Sequence, residues 1–201
     1  MTLTDTWSIL TTPAWSGVEN MEFDRETLSA VIEKKKSPTL RFFRWKEPTL
    51  SYGRLQPLAR VEQSAPRGWP VVQRPTGGGI VLHDRDLCIS MAWPDGQPGF
   101  PPRAADLYDF LHGLFLNALR PHISLSMLAC CDAPSPKGAF EERQCFQDPV
   151  GADLMLQQQK MLGGALLHRR GGWLYQGSLQ IDNAWSYEAP MATFLSQHLC
   201  V

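Results

Sequence analysis

Segments 160–168 and 173–181 read as two long strands joined through Gly171-Gly172. A glycine pair in that place closes antiparallel strands in a tight turn, because glycine adopts positive φ without a Cβ clash. An isolated hairpin is marginal in water, so this one has to be part of a larger sheet. Further β-rich, apolar runs are available to build it at 7–10, 39–45, 49–52, 69–73, 80–82, 87–93, 123–128 and 153–156. A Lys-Glu-Pro turn separates the second run from the third.

Three helices fit between and after these runs. Ser16 and Glu19 form a capping box that predicts a helix to about Lys36, with Val18, Met21, Leu28, Val31 and Ile32 as its buried stripe. Leu107, Leu111, Leu114, Phe115 and Ala118 recur at helical spacing until Pro121, and this helix is expected to pack on the sheet. A last amphipathic stretch covers 190–199. With no repeat and no linker, the pattern predicts one α/β (α+β) domain over residues 1–201, in which helices flank a mixed, largely antiparallel sheet. The strand order is not readable from these patterns.

With 43% apolar residues in 201, the chain can build a core without staples. A formal charge of −1 argues against a nucleic-acid surface, and Lys34-Lys35-Lys36 reads as a solvated helix end. No run approaches a membrane span and the N-terminus lacks signal-peptide character, so a cytoplasmic location is expected. Five cysteines at irregular spacing suit reduced thiols. Cys130, Cys131 and Cys145 accompany five histidines, yet no C-x-x-C or H-x-x-x-H spacing occurs, and no metal site is expected. Cys88 and Cys200 read as structural or incidental.

Cys145 precedes Lys160 by 15 residues. A lysine ammonium near a cysteine favours the thiolate, which attacks acyl groups, so the pair is suited to forming and resolving a thioester. Gly77, Gly78 and Gly79 let the backbone come close to a ligand, with Arg74 available to an anionic or carbonyl group. A plain tight turn explains the triplet equally well, and it matches neither a Walker loop nor a dinucleotide fingerprint. His83 is placed to donate to a carbonyl or move a proton, the alternative being a strand-end histidine satisfied by backbone. Gly163, Gly164, Ala165, Gly177 and Ser178 read either as part of such a site or as small residues where strands crowd.

Taken together these stretches resemble the lipoate and octanoate transfer family, whose fold is shared with biotin protein ligases. Ser16 to Met21 with Asp24 resembles its first helix, and 39–45 with 49–53 its next hairpin. The run RPTGGGIVLHDRDL at 74–87 resembles the acyl-pocket motif, and Lys160 to Ala165 with Gln176-Gly177-Ser178 the lysine strand and its partner. Cys145-Phe146 with Pro149 is similar to cysteine-dependent octanoyltransferases that modify the glycine-cleavage H protein. Ligases of the family more often carry Gly-Asn where Asp86 and Leu87 stand here.

The resemblance implies that Cys145 is the acyl-thioester nucleophile, that Lys160 favours its thiolate and contacts the acyl carbonyl, and that amides near Gly78 or Gly164 stabilise the oxyanion. Arg74, Gly77, Gly78, Gly79, His83, Gly163, Gly164, Ala165, Gln176 and Gly177 are then substrate-binding. It implies octanoate or lipoate as the acyl group, acyl carrier protein as donor, a lipoyl-domain or H protein as acceptor, and no cofactor. The alternatives are a lipoate-protein ligase core using ATP and Mg, and a noncatalytic acyl-binding relative. Gly79 replaces an arginine common in octanoyltransferases and Gln176 a frequent histidine, and a C-terminal accessory domain is not expected.

Overall fold

The computed structural model describes residues 6–129, 132 and 145–199. Cys130, Cys131 and Cys200 lie outside them. In chain order the elements are β1 (Ser8–Thr11), α1 (Gly17–Ile32), β2 (Thr39–Phe43), β3 (Thr49–Tyr52), α2 (Leu58–Ser64), β4 (Val71–Gln73), β5 (Val81–His83) and β6 (Leu87–Pro94). They continue with α3 (Ala104–Leu119), β7 (Ser126–Met127), β8 (Leu154–Leu156), β9 (Gln159–Arg169), β10 (Gly172–Leu179), a 3-10 turn (Ala184–Tyr187) and α4 (Glu188–His198).

The strands make two sheets rather than the one expected. A seven-stranded sheet has the order β1-β2-β6-β10-β9-β8-β7, and a three-stranded sheet the order β4-β3-β5. Only β1/β2 in the larger sheet and β3/β4 in the smaller run parallel; the other strand pairs are antiparallel. The expected hairpin of β2 and β3 is therefore a crossover between sheets. The turn of the β9–β10 hairpin falls one residue earlier than expected: Gly172 pairs with Arg169, leaving Arg170 and Gly171 as the turn, with Gly171 at φ 102°.

One face of the large sheet carries α3 and α4, whose Leu107, Leu111, Phe115, Met191 and Leu195 pack with Ile89, Leu162 and Tyr175 in the main core. The other face carries α1, where Leu28 and Val31 meet Leu167 and Leu174. The Ser16–Glu19 capping box is formed, but α1 stops at Ile32, short of Lys36, and Lys34 turns to φ 56°. Val18, expected in its buried stripe, is 66% exposed, because the buried face runs through Gly17, Asn20, Met21 and Asp24 and leaves Val18 with Glu22 and Glu26 on the outer face. Among the described residues no helix is long and apolar enough to cross a membrane.

A buried histidine ties α3 to the sheet. His112 Nδ1 donates to Ala152 O at 2.8 Å, and its Nε2 lies 2.9 Å from the Tyr175 hydroxyl, which therefore donates to it. Burial pushes the imidazole down to about 3, a shift the Ala152 bond opposes. The folded value lies below the ordinary 6.5, so this group's contribution to stability is present above pH 6.5 and is lost as pH falls toward 3. Urea unfolding at neutral and mildly acidic pH is expected to show that loss in the native chain and a smaller one in His112→Gln.

Candidate active site

The two sheets and α1 surround a small cavity. Met21 of α1, Phe43 and Trp45, Arg74 and Gly78, Val81 and His83, and the stretches Gly163 to Ala165 and Gln176 to Ser178 line it, with Cys145 at its wall. Apart from Gly77 and Gly79, which flank Gly78 in the turn, and the separately placed Lys160, every residue expected at the site lines this one cavity.

Cys145 and Lys160 are in contact. Lys160 Nζ lies 3.4 Å from Cys145 Sγ and 2.8 Å from Asp153 Oδ2, and 5.4 Å from the centre of the Phe146 ring. Lys160 is buried whereas Cys145 is partly open. Burial alone would drive the lysine toward its neutral form; the Cys145 and Asp153 charges and their hydrogen bonds outweigh it and hold the ammonium above its ordinary value. The Cys145 amide also donates to Ile80 O at 2.9 Å, tying the cysteine to the strand that leaves the glycine turn.

Gly163 makes this geometry possible. A Cβ there would overlap Lys160 Cε and Nζ, so the side chain can lie back along β9 only over a glycine. Gly164 and Gly177 face each other across β9 and β10, and a Cβ on either would run into the Tyr175 ring. Crowded strands thus explain Gly164 and Gly177, while Gly163 serves the lysine.

The glycine turn is held from beneath. Arg74 donates to Gly77 O at 3.1 Å, to Gly79 O at 2.6 Å and to Ser51 Oγ at 2.6 Å. Gly78 sits at φ 88°, a region that favours glycine, and Gly53 leaves room for its carbonyl. Arg74, expected to meet a ligand, lines the cavity and also shapes the turn. Thr76 donates to Gln176 Oε1 at 2.8 Å, and Gln176 Nε2 donates to Asp24 of α1 at 2.6 Å. The glutamine thus bridges the turn to the first helix.

His83 is satisfied by side chains, not backbone. Its Nε2 lies 2.6 Å from Ser51 Oγ and its Nδ1 2.7 Å from Asp86 Oδ2, with the Trp45 ring stacked at 4.3 Å. Ser178 and Cys88 also donate to Asp86 Oδ2, at 2.6 and 3.1 Å. Burial would raise the Asp86 carboxyl, but His83 and the other donors hold it below its ordinary value. His83, Asp86 and Cys88 offer ligand atoms within 4.8 Å of one another. The 2.7 and 3.1 Å spacings are those of shared protons, tighter than the roughly 3.3–3.7 Å between ligand atoms on a tetrahedral zinc.

Three positions escaped the sequence reading. Asp153 and Tyr108 sit behind Lys160, and the Gly164 amide, expected near an oxyanion, donates to the Tyr108 hydroxyl at 3.0 Å. Asp24, quoted only as part of the first helix, anchors Gln176. Asp153 sits in a G-A-D-L run just before a strand, and a buried-side aspartate there was the only available signal.

A family model of the lipoyl protein ligase A/B catalytic domain matches residues 16–198. Octanoyltransferase LipM of Kyrpidia tusciae is 31% identical over 185 residues, covering 88% of this chain and 66% of the relative. The Staphylococcus aureus protein of the same name is 27% identical over 186 residues, covering 90% and 67%. The chain thus spans about two thirds of the length of the curated relatives it matches. Among solved structures, protein Ta0514 of T. acidophilum with bound lipoic acid superposes with a TM-score of 0.66 at 17% identity, over 98% of this chain and 86% of that one. Lipoate-protein ligase A bound with ATP gives 0.57 at 20%, over 89% and 67%. These structures share the fold, and the sequence match assigns the lineage: the chain belongs to the lipoyl protein ligase A/B catalytic domain family.

Proposed function

We propose that the protein is an acyltransferase that takes a medium-chain acyl group, octanoyl in the first instance, from a carrier thioester onto Cys145 and passes it to a lysine of a lipoyl-domain protein. The observation that carries this reading is the 3.4 Å contact between Lys160 Nζ and Cys145 Sγ at the wall of a cavity lined by Met21, Phe43, Trp45 and Val81. Relatives named octanoyltransferase LipM support it.

In the first half-reaction the Cys145 thiolate attacks the carrier thioester carbonyl, and the tetrahedral intermediate expels the carrier thiol, which takes up a proton. In the second, a neutral acceptor amine attacks the Cys145 thioester, the C–S bond breaks as the amide forms and its nitrogen releases a proton to solvent, and the thiolate returns to its place beside the Lys160 ammonium. The ammonium is positioned to stabilise sulfur whenever it is anionic. The Gly164 amide already serves Tyr108, which leaves the turn at Gly78 as the better source of an oxyanion donor.

The cavity is small, and Met21 is the most adaptable side chain in its wall. An ATP-dependent ligase is the weaker reading. The relatives matched by sequence carry the transferase name.

Intact-mass analysis after incubation with octanoyl carrier protein, without ATP, is expected to show an octanoyl adduct that is lost in Cys145→Ser. Absence of the adduct, with ATP-dependent lipoylation of an acceptor domain, would overturn the transferase reading.

A further inference from the structure

We propose that Asp153, from the loop before β8, is a positioning residue that charges and aims Lys160 at Cys145. The inference rests on the thioester reading above.

Asp153 is fully buried and has three donors. Lys160 Nζ and the Val150 amide reach its Oδ2 at 2.8 and 2.7 Å, and the Tyr108 hydroxyl reaches its Oδ1 at 2.7 Å. Tyr108 in turn accepts the Gly164 amide. One carboxylate thus fixes the lysine head, the chain behind it and, through α3, the neighbouring residues of β9. Gly163 clears the path of the lysine, and a Cβ there would also come within 3.2 Å of Asp153 Oδ1.

A buried ammonium needs a counter-charge that does not depend on the state of its substrate partner. While Cys145 is an acyl thioester it carries no charge, so Lys160 would then face the cavity wall alone were it not for Asp153. Other groups that interact with the pair or with Asp153 include Tyr108 and His112 from α3, Tyr175 from β10 and Arg74. Burial keeps both tyrosines protonated and the histidine neutral, and Arg74 is a cation. Of the two negative charges that act on Lys160, those of Cys145 and Asp153, only that of Asp153 persists when the cysteine is acylated, and it holds the ammonium in place through both halves of the cycle.

The test reads the thiol directly and needs no acyl substrate. Alkylation of Cys145 by iodoacetamide would be followed by peptide mass, from mildly acidic to alkaline pH, in the native chain, Asp153→Asn, Lys160→Met and the double variant. Asp153→Asn is expected to slow alkylation at neutral pH by about tenfold, equivalent to one pH unit, and to move the rate profile to higher pH. Lys160→Met should do at least as much, and the double variant no more than Lys160→Met, because Asp153 acts through the lysine. A native rate in Asp153→Asn beside a slowed Lys160→Met overturns the role of Asp153 and leaves the cysteine–lysine reading intact. A native rate in Lys160→Met overturns both. Should Asp153→Asn fail to fold, Asp153→Glu, which keeps the anion but displaces it, takes its place: a slowed rate supports the role and a native rate overturns it.

Discussion

Gly163→Ala is expected to lower kcat for acyl transfer by about a hundredfold or more while changing KM much less. The new methyl would occupy the space of Lys160 Cε and Nζ, so the lysine has to swing off β9 and lose its 2.8 Å bond to Asp153 and its 3.4 Å contact with Cys145. Displacing a catalytic group by about 1 Å costs on the order of a hundredfold in rate. The backbone has little reason to object, since Gly163 is not among the positive-φ residues and alanine is tolerated in a strand. Steady-state kinetics with an octanoyl carrier thioester, beside a thermal melt, separate the two effects. A kcat within about threefold of native would mean that Lys160 reaches Cys145 by another route.

What could be read from the sequence follows from how local each signal is. The capping box of α1 and the β9–β10 hairpin are written in consecutive residues, and both formed where expected within a few positions. Cys145 and Lys160 are paired by the family resemblance, since their spacing alone implies no contact, and the fold brings them together. Helix α2 was missed because it is one short stretch without a side-chain cap that buries only Val61. The division into two sheets was equally hidden: Thr39 to Phe43 and Thr49 to Tyr52 look alike, and only their distant partners, β6 for one and β5 for the other, set them apart. The same limit applies to the site. Tyr108 meets Asp153 across 45 positions and Thr76 meets Gln176 across 100, and no local pattern announces such pairs. Arg74 lines the cavity, and its hold on the carbonyls of its own glycine turn is a contact that residue type alone does not announce.

The largest loss of stability is expected from Arg41→Met. Arg41 is 1% exposed, and its guanidinium meets Asp24 at 2.9 Å, Thr12 at 3.0 Å and both oxygens of Asn20, while the rings of Phe43 and Phe23 flank it at 4.2 and 4.6 Å. Methionine replaces the packing but leaves the Asp24 carboxylate buried without its cation, a defect that costs about 3–5 kcal/mol, or on the order of 6–20 °C in Tm for a chain of this size. The pH dependence identifies the cause. Burial already raises the Asp24 carboxyl above its ordinary 3.8, with Arg41, Gln176 and Ser90 opposing the shift. Removing Arg41 raises it further. A raised folded value means that the carboxyl is protonated in both states below pH 3.8, and that stability is lost as pH rises through the folded value, where the buried charge forms. The gap between native and variant in urea unfolding should therefore be wide at neutral pH and narrow toward pH 4. Acid destabilisation through His112 affects both chains alike and cancels from that gap. Arg41→Met with Asp24→Asn should recover part of the loss at neutral pH, since the double change leaves no buried charge unpaired. A gap that stays equally wide in acid would place the loss in packing around the aromatic rings rather than in the charge of Asp24.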